Sequence, residues 1–436
     1  MGRQTDEREL ILEILLSITR DGEYSHIALR NVLNKYRYLE KRERAFITRV
    51  TEGTLEHMIE IDYIIDQFSR VPVNKMKPVI RTIIRSAVYQ LKYMDSVPNS
   101  AVCNEAVKLA VKRGFVNLKG FVNGLLRNIA RSLQTITYPQ RTDLITCLSV
   151  TYSMPEWILK QWLSVYDEVA VEQMLAYFLK EKPLSVRFDE QRISKSELIG
   201  KLEKEGVKAE EHKALPYALL ISGYDYLEAL ESFRAGDFQV QDISSMKVAE
   251  AAKPRPGDHV IDVCAAPGGK ALHMAEKLVG TGLVEARDLT EYKVNLIKEN
   301  IERSGLQNIQ ALQQDATVYT EESKDKADIV IADLPCSGLG VLGKKTDLKY
   351  KMTESMQKQL AKLQKQILSV VNDYVKPGGK LIYSTCTVNR AENEENSVWF
   401  GQKYPDFELQ SETQYLPGQD GGDGFYIAVF KRKRHE

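Results

Sequence analysis

The feature that most limits how this chain can fold is an ordered alternation that begins near residue 246. Short apolar runs, among them HVID, ADIVIAD and GGKLIY, are separated by amphipathic stretches long enough to form helices. Such an alternation is typical of a parallel sheet that is covered by helices on both faces. Residues 246–436 are therefore predicted to form an α/β domain with a mostly parallel sheet.

Two segments with different patterns precede this domain. Over residues 1–138 apolar residues recur at helical spacing without alternating β-runs, which predicts an all-helical domain. Residues 139–245 combine a helical stretch that begins near Pro155 with strand candidates such as LSVRF, YALLIS and DFQVQD. This middle part is predicted to be a linker helix and a small α/β unit. The 436-residue chain is thus multidomain, and it is long enough for each domain to bury a core.

Composition excludes several classes of protein. The hydrophobic share of 43% is too high for a disordered chain, and no uncharged apolar run approaches the ~20 residues of a membrane-spanning helix. The N-terminal sequence lacks the layout of a signal peptide. Five scattered cysteines argue against a secreted disulfide scaffold and favour a reducing cytoplasm, and no Cys/His cluster suggests a metal site. We therefore expect a cytoplasmic protein with no membrane partner and no metal.

The net charge of zero conceals an asymmetry along the chain. Residues 1–135 carry a net charge of +7 and the remainder carries −7. Between Arg70 and Arg131 there are 12 basic residues and two acidic ones. A basic segment of this kind favours a polyanion such as RNA as partner, because it neutralises phosphates and releases their counterions. A solvated lysine-rich helical face is the alternative, and charge alone does not decide between the two.

A glycine turn after the first strand of the α/β domain is a candidate cofactor site. Its glycines allow a ligand to approach the backbone closely, and Asp288 follows Gly268 by 20 residues, the offset at which a carboxylate commonly binds ribose hydroxyls. The turn matches neither GxGxxG nor a Walker motif, which favours a nucleoside cofactor without phosphates, S-adenosylmethionine. Asp315, after the next strand, is predicted to face the adenine. The turn comprises Cys264, Ala265, Ala266, Pro267, Gly268, Gly269 and Lys270.

Two cysteines follow buried strands of the same domain. Cys336 lies in DLPCSG and Cys386, 50 residues later, lies in STCT. Because ligands bind at the carboxyl ends of strands in open α/β sheets, we expect both sulfur atoms near the cofactor. A nearby cation such as Lys270 is expected to favour the reactive thiolate. Cys103 and Cys147 are expected to be packing residues.

Thiols beside a methyl donor suggest chemistry on a pyrimidine ring. The C5 carbon of a pyrimidine is a weak nucleophile, and a thiolate that adds at C6 makes C5 able to attack a methyl group. An acid near N3 is needed to relieve the negative charge on the ring, and Asp333 is the candidate. A second group must then remove the C5 proton so that the thiolate can leave. The spacing of the cysteines does not say which of them performs which step.

Three motifs resemble those of the RNA cytosine-5 methyltransferases. They are the cofactor motif DVCAAPGGK, the proline–cysteine motif DLPCSGLG and the threonine–cysteine motif STCTVNRAENEEN. The first domain resembles the NusB-like RNA-binding helical domain over FITRVTEG, RSAVYQL and GFVNGLLR. This arrangement resembles the RsmB family (also called Sun or Fmu), which methylates C5 of cytosine in bacterial small-subunit (16S) ribosomal RNA. The resemblance implies a NusB-like domain followed by a Rossmann-like class I methyltransferase domain.

The same resemblance implies roles for individual residues. Cys386 would be the nucleophile, Cys336 would promote product release, and Asp333 would contact N3. Lys270 would lie near the catalytic pocket, and the Cys264–Lys270 turn would bind S-adenosylmethionine together with Asp288, Asp315 and Asp333. A base within an RNA helix is out of reach, so the target is expected to be single-stranded or flipped out. We expect the enzyme to act as a monomer.

Two alternatives remain at this point. The same chemistry could act on transfer RNA, or the chain could be an inert NusB-like RNA-binding assembly factor. The complete set of Asp333, Cys336 and Cys386 argues against the inert protein. In the middle unit Arg187-Phe188-Asp189 departs from the Arg-x-Asn of the family, and we expect this change to weaken a contact with RNA phosphate.

Overall fold

The computed structural model describes residues 6–434, and these form two compact units. The first comprises the described chain up to Leu179 together with Leu342–Lys351, and the second comprises Lys180–Val341 and the chain from Met352 onward. The ends of the predicted first and last domains, residues 1–5 and 435–436, lie outside the described part. Within the described part, no helix combines the length and the apolar character needed to cross a membrane.

The first unit is helical, as the spacing of its apolar residues predicts. The apolar faces of its N-terminal helices meet in one core that includes Ile11, Ile64 and Val88. The stretch after Pro155 forms two helices rather than the single helix expected from the sequence, because Asp167 accepts a hydrogen bond from the backbone N–H of Ala170 and starts a new helix. The helices are α1 (Glu7–Thr19), α2 (Ser25–Lys35), α3 (Lys41–Glu56), α4 (Met58–Phe68), α5 (Pro78–Tyr93), α6 (Asn99–Lys112), α7 (Lys119–Ser132), α8 (Leu144–Tyr152), α9 (Glu156–Leu163) and α10 (Glu168–Leu179).

The second unit begins with a small antiparallel sheet. In order across the sheet, its strands are β2 (Lys208–Glu211), β3 (Ala218–Ser222), β1 (Leu184–Arg187) and β4 (Gln239–Val240). Val186, Leu198 and Phe238 lie in its core. The strands expected from LSVRF, YALLIS and DFQVQD are confirmed, whereas β2 was not predicted because its charged residues are mostly exposed at the sheet edge. The helices of this part are α11 (Lys195–Lys204) and α12 (Glu231–Arg234).

The rest of the second unit contains a seven-stranded sheet. In order across the sheet, its strands are β10 (Phe407–Tyr415), β11 (Phe425–Arg432), β9 (Val375–Thr385), β8 (Ala327–Asp333), β5 (His259–Asp262), β6 (Leu283–Asp288) and β7 (Ile309–Gln313). The neighbouring strands β7, β6, β5, β8 and β9 are parallel to one another, and β11 and β10 are antiparallel to their neighbours. The predicted mostly parallel sheet is therefore confirmed. The helices in this part of the chain are α13 (Ile243–Ala252), α14 (Gly269–Lys277), α15 (Glu291–Ser304), α17 (Glu354–Val371) and α18 (Glu394–Lys403). Helix α16 (Leu348–Lys351) belongs to the first unit.

Burial on both faces explains why the central strands have continuous apolar sequences. Val260 and Ile331 pack into one core of the sheet, and their neighbours Ile261 and Val330 pack into the core on the opposite face. Successive side chains of a strand point to opposite faces, so consecutive residues in the middle of such a strand are apolar. Since β5, β8 and β9 are parallel neighbours, the segments that follow them begin at one edge of the sheet.

Candidate active site

The glycine turn lies between β5 and α14, where the sequence predicts it. Gly268 precedes α14 with φ of +109°, a conformation that L side chains rarely adopt. The backbone N–H of Ala266 donates to Oδ2 of Asp288 at 3.0 Å, so the carboxylate that ends β6 holds the turn that follows β5. Asp288 is buried, and its Oδ1 lies 3.1 Å from Nζ of Lys293. The structure thus brings Asp288 and the turn together.

Asp315 follows β7, as expected, and its contacts are local. Its Oδ1 accepts hydrogen bonds from the backbone N–H and the hydroxyl of Thr317, at 2.8 and 2.7 Å. These hydrogen bonds lower the pKa of Asp315, which keeps the carboxylate ionised.

Asp262 is a buried acid that the sequence analysis did not single out. It ends β5, it is 1% exposed, and its Oδ2 has no hydrogen-bond partner among the described residues. Burial raises its pKa to about 7; the charge of Asp333 acts in the same direction, and the charge of Lys270 opposes the shift. Its position was the available signal, because it ends β5 just as Asp288 ends β6.

Lys270 and Asp333 form an ion pair at this edge of the sheet. Nζ of Lys270 lies 2.6 Å from Oδ2 of Asp333, and the hydroxyl of Ser384 donates to Oδ1 of Asp333 at 2.8 Å. Burial lowers the pKa of Lys270, but the charge and hydrogen bond of Asp333 outweigh this effect, so the pKa is raised overall. The charge of Cys386 acts in the same sense as Asp333. The ammonium group therefore stays protonated in the site.

The sulfur atoms of Cys336 and Cys386 are 3.3 Å apart. Both residues are half-buried free cysteines, and each follows one of the neighbouring strands β8 and β9. The hydrogen bond with Cys386 raises the pKa of Cys336 well above its ordinary value, and burial and the charges of Cys386, Glu392 and Asp333 add to this effect. Cys336 thus retains its proton, whereas Cys386 is the cysteine whose charge acts on Lys270.

Backbone contacts hold the two cysteine turns together. The N–H of Gly340 donates to the carbonyl oxygen of Cys386 at 3.1 Å, and its own carbonyl accepts from the N–H of Gly424 at 2.9 Å. A Cβ atom at position 340 would lie 2.0 Å from the carbonyl oxygen of Gly424. Only glycine permits this approach.

Glu392 is a second group that the sequence analysis did not identify. It is fully buried, and it accepts hydrogen bonds from Ser337, the residue after Cys336. Nothing in the sequence separates it from the acids that follow at Glu394 and Glu395, because only the fold brings it to the other cysteine turn.

The remaining cysteines have packing positions. Cys103 is buried in the helical core, Cys147 is half-buried on α8, and Cys264 packs against one core of the large sheet. Burial raises the pKa of Cys264, so its thiol stays protonated. The expected packing role of Cys103 is confirmed.

Arg187, which begins the Arg187-Phe188-Asp189 segment of the middle unit, lies in the interior. Its side chain is fully buried, Nη2 lies 2.6 Å from Oε1 of Glu276, and Nη1 donates to the carbonyl oxygen of Gly269 at 3.0 Å. It is therefore unable to contact an RNA phosphate. Asp189 is half-buried and caps the following turn through the N–H of Gln191. The weaker RNA contact expected at Asp189 stays a prediction.

The groups at this edge suit S-adenosylmethionine. Gly268 gives the turn a left-handed backbone. The unpartnered oxygen of Asp262 and the carboxylates of Asp288 and Asp315 are acceptors for the ammonium and hydroxyl groups of a nucleoside-amino acid ligand. Among residues 6–434, no group of three His, Cys, Asp or Glu side chains is arranged to hold a metal ion.

These features define a class. The seven-stranded sheet is mostly parallel and ends in an antiparallel hairpin. A glycine turn follows β5, and acids stand at the ends of β5, β6 and β8. Together these features are typical of a Rossmann-like methyltransferase. Family comparisons agree: residues 249–431 match the family described as 16S rRNA methyltransferase RsmB/F, residues 5–131 match the NusB family, and residues 154–225 match the RsmF/B-like ferredoxin-like domain.

Similarity over the full chain then identifies the family. The chain is 34% identical over 450 residues to a probable ribosomal RNA small subunit methyltransferase B of Bacillus subtilis (strain 168), and the alignment covers 99% of this chain and 100% of that protein. A relative with the same description from Synechocystis sp. is 31% identical, with 98% and 99% covered. The chain belongs to the ribosomal RNA small subunit methyltransferase B family.

Solved structures share the fold at lower identity. The structure of PH0851 superposes with a TM-score of 0.83 at 24% identity and covers 98% of this chain and 99% of that one. NSun6 from Pyrococcus horikoshii, solved with SFG, gives a TM-score of 0.56 at 21% identity and covers 63% of this chain and 97% of that one.

Proposed function

We propose that this protein transfers a methyl group from S-adenosylmethionine to C5 of a cytosine in small-subunit (16S) ribosomal RNA through a covalent cysteine–C6 adduct. The observation that carries the proposal is the pair of sulfur atoms, 3.3 Å apart, beside the Lys270–Asp333 ion pair. Relatives over the full chain bear the description ribosomal RNA small subunit methyltransferase B, which supports ribosomal RNA as the substrate.

The cofactor assignment uses the residues at the ends of the parallel strands. S-adenosylmethionine supplies an electrophilic methyl group when bound. NSun6, which shares this fold, was solved with SFG, an analogue of S-adenosylmethionine. The residues that we assign to hold it are Cys264, Ala265, Ala266, Pro267, Gly268, Gly269, Lys270, Asp288, Asp315 and Asp333.

The electrostatics of the site favour Cys386 as the nucleophile. The charge of Cys386 acts on Lys270 together with those of Asp333 and Asp262, whereas several negative groups keep the proton on Cys336. The Cys386 thiolate forms a bond to C6, and the electrons of the C5–C6 double bond make C5 nucleophilic. Asp333 contacts N3 and relays to it a proton from the ammonium group of Lys270, which relieves the negative charge on the ring.

The same electrostatics give Cys336 a role after methyl transfer. The hydrogen bond with Cys386 is the largest cause of its raised pKa. When the sulfur of Cys386 is bonded to carbon, that cause disappears and Cys336 gives its proton to water more readily. It can then remove the C5 proton, which restores the C5–C6 double bond and breaks the bond between Cys386 and C6.

The basic helical domain and the reach of the site define the RNA partner. A cytosine must be single-stranded or flipped out of a helix to meet sulfur atoms at a sheet edge. The match of residues 5–131 to the NusB family and the net charge of +7 over residues 1–135 support RNA binding by this part. We propose a monomeric enzyme; its cytoplasmic location, expected from the cysteine content, stays a prediction.

Cysteine variants test the chemistry. Cys336→Ala is expected to accumulate a covalent protein–RNA adduct that survives a denaturing gel, because the bond to C6 forms but is not released. Cys386→Ala is expected to form none. If the adduct appears in Cys386→Ala instead, the two roles are exchanged; if neither variant nor the native protein forms one, the covalent mechanism is wrong.

The substrate is tested by bisulfite sequencing of ribosomal and transfer RNA from cells with and without the gene. We expect one cytosine of small-subunit ribosomal RNA to lose its 5-methyl group when the gene is absent. Loss at a transfer RNA position would support the alternative substrate, and no change at any cytosine would support the inert assembly factor.

A further inference from the structure

A buried carboxylate connects the two cysteine turns. Glu392 lies six residues after Cys386 and is 0% exposed. Burial of a carboxylate is unfavourable unless its oxygens are hydrogen-bonded, so a glutamate at such a position requires an explanation.

The hydrogen bonds of Glu392 reach three segments of the chain. Oε2 accepts from the backbone N–H of Ser337 at 2.8 Å and from Nε2 of Gln364 at 3.1 Å. Oε1 accepts from the hydroxyl of Ser337 and from Nδ2 of Asn389 at 2.7 Å. All four donors are neutral groups, so these bonds orient the carboxylate without cancelling its charge.

Two of these bonds come from the residue that follows Cys336. Backbone and side chain of Ser337 both donate to Glu392, and the hydroxyl of Ser337 also lies 2.7 Å from the hydroxyl of Thr387, the residue after Cys386. Glu392 therefore fixes the turn that carries one sulfur atom from the segment that carries the other.

The charge of Glu392 also acts on the cysteine that it helps to place. It is among the negative groups that raise the pKa of Cys336. Burial raises the pKa of Glu392 itself, and the hydrogen bonds from Ser337, Asn389 and Gln364 oppose that shift.

We infer that Glu392 is a positioning residue that holds the Cys336 turn against the Cys386 turn. The inference rests on the proposed function, because it takes Cys336 as the group that frees the product. Glu392 does not touch the reacting atoms; it acts through Ser337.

The first test is Glu392→Gln in the full-length protein. Glutamine keeps the size of the side chain, but its NH₂ group cannot accept the hydrogen bonds that one carboxylate oxygen now accepts. We expect kcat to fall by about 10- to 100-fold, because a misplacement of about 1 Å is enough to slow a reaction by this amount. The affinity for S-adenosylmethionine should stay within about twofold, because Glu392 lies outside the residues assigned to the cofactor.

A trapped adduct distinguishes positioning from a general structural role. Glu392→Gln should accumulate the covalent protein–RNA adduct, as Cys336→Ala does, because attack by Cys386 continues while release is slowed. The matched control is Glu395→Gln, an exposed glutamate three residues later, with expected kcat and adduct levels like those of the native protein. Unchanged kcat, or loss of the adduct together with cofactor binding, would overturn the inference.

A second measurement does not depend on the proposed function. Diamide takes up the two thiol hydrogens of neighbouring cysteines and leaves a disulfide, and the 3.3 Å separation predicts that it joins Cys336 to Cys386. Intact-mass and peptide analysis should show this bond forming several-fold more slowly in Glu392→Gln than in Glu395→Gln. Equal rates would mean that Glu392 does not hold the turns, whether or not an RNA adduct forms.

If Glu392→Gln does not fold, Ser337→Ala supplies the same test from the opposite turn. It removes the hydroxyl that donates to Oε1 and leaves the backbone bond to Oε2 in place. We expect a smaller fall in kcat and slower disulfide formation, and native values for both would contradict the inference.

Discussion

At the scale of single residues, the site works through shared charge. Lys270 is bonded to Asp333, and the charges of Cys386, Asp262 and Asp333 all act on this ammonium group. Because a single cation faces several acidic groups, the negative charges would repel one another if all of these groups were ionised. The structure resolves this by raising the pKa of Asp262 and that of Cys336.

The raised pKa of Asp262 predicts how the stability of the protein without ligand depends on pH. Its pKa is about 7 in the folded state and near 3.8 in the unfolded chain, so the folded state binds the extra proton between these values. The free energy of unfolding attributable to this group is therefore present in full below pH 3.8 and is lost as the pH rises toward 7. The upper limit of the loss is about 4 kcal/mol.

Asp262→Asn should remove this contribution, because asparagine does not titrate. We expect its free energy of unfolding to fall less than that of the native protein between pH 4.5 and pH 7.5, as measured by urea denaturation at about these two values. Parallel pH profiles of the two proteins would show that Asp262 is ionised throughout.

At Gly340 the backbone of one cysteine turn lies close to the backbone of Gly424 and of Cys386. Gly340→Ala places a Cβ atom 2.0 Å from the carbonyl oxygen of Gly424 and 2.9 Å from that of Cys386, so the turns must move apart. We expect methyltransferase activity to fall by about 100-fold or more, with cofactor affinity retained. Gly401→Ala is the control, because a Cβ atom there meets nothing within 4 Å; equal activity of the two variants would contradict the prediction.

At the scale of elements, a buried ion pair joins β1 of the small sheet to α14 of the large one. Arg187 pairs with Glu276 and also bonds to the carbonyl oxygen of Gly269, the first residue of α14. The start of the helix that follows the cofactor turn is thereby fixed from the neighbouring sheet. Burial raises the pKa of Glu276, and the charge and hydrogen bond of Arg187 oppose this shift.

Replacing one member of this ion pair should therefore destabilise the protein more than replacing both. Arg187→Met leaves a buried carboxylate without a cation, and we expect it to lower the free energy of unfolding by about 3–5 kcal/mol. The double variant, Arg187→Met with Glu276→Leu, removes both charges. Its free energy of unfolding should therefore fall much less than that of Arg187→Met alone. A denaturation series of the two single variants and the double variant measures the coupling; additive losses would mean that the pair is not coupled.

At the scale of the whole molecule, the two units do not follow the order of the sequence. Leu342–Lys351 belongs to the first unit, although the chain on either side of it belongs to the second. Within the first unit, Asp347 accepts the hydroxyl of Ser25 at 2.6 Å and Nζ of Lys349 donates to the carbonyl oxygen of Glu56 at 2.8 Å. Burial lowers the pKa of Lys349 to about 7. Deletion of the helical domain would leave these buried groups without partners.

RNA binding by the helical domain is better tested by substitution than by deletion. Lys119, Arg127 and Arg131 are exposed on or at the end of α7 and lie in the basic segment. Their joint replacement by glutamine should weaken binding to ribosomal RNA and reduce the dependence of log Kd on log salt by about 0.7–0.9 per lost phosphate contact. Cofactor affinity should not change; an unaltered salt dependence would place the RNA elsewhere.

The sequence by itself determined which local structures form and where the acids and thiols stand along them. Helical spacing predicted the first unit, apolar runs predicted the central strands, and the positions of Asp288, Asp333, Cys336 and Cys386 after strands placed them at one edge. These predictions succeed because periodicity and burial are local properties of the chain. The edge strand β10 was not predicted, because most of its residues are exposed and its sequence has no apolar run.

Only the tertiary structure decided which distant groups touch. The two sulfur atoms in contact, and Glu392 and Ser337, are far apart in sequence. The burial of Arg187 and the packing of Leu342–Lys351 within the helical unit likewise depend on distant parts of the chain. Spacing along a chain fixes the edge at which a group lies, but its partner and its pKa depend on which side chains the packing of the whole unit brings within a few ångströms.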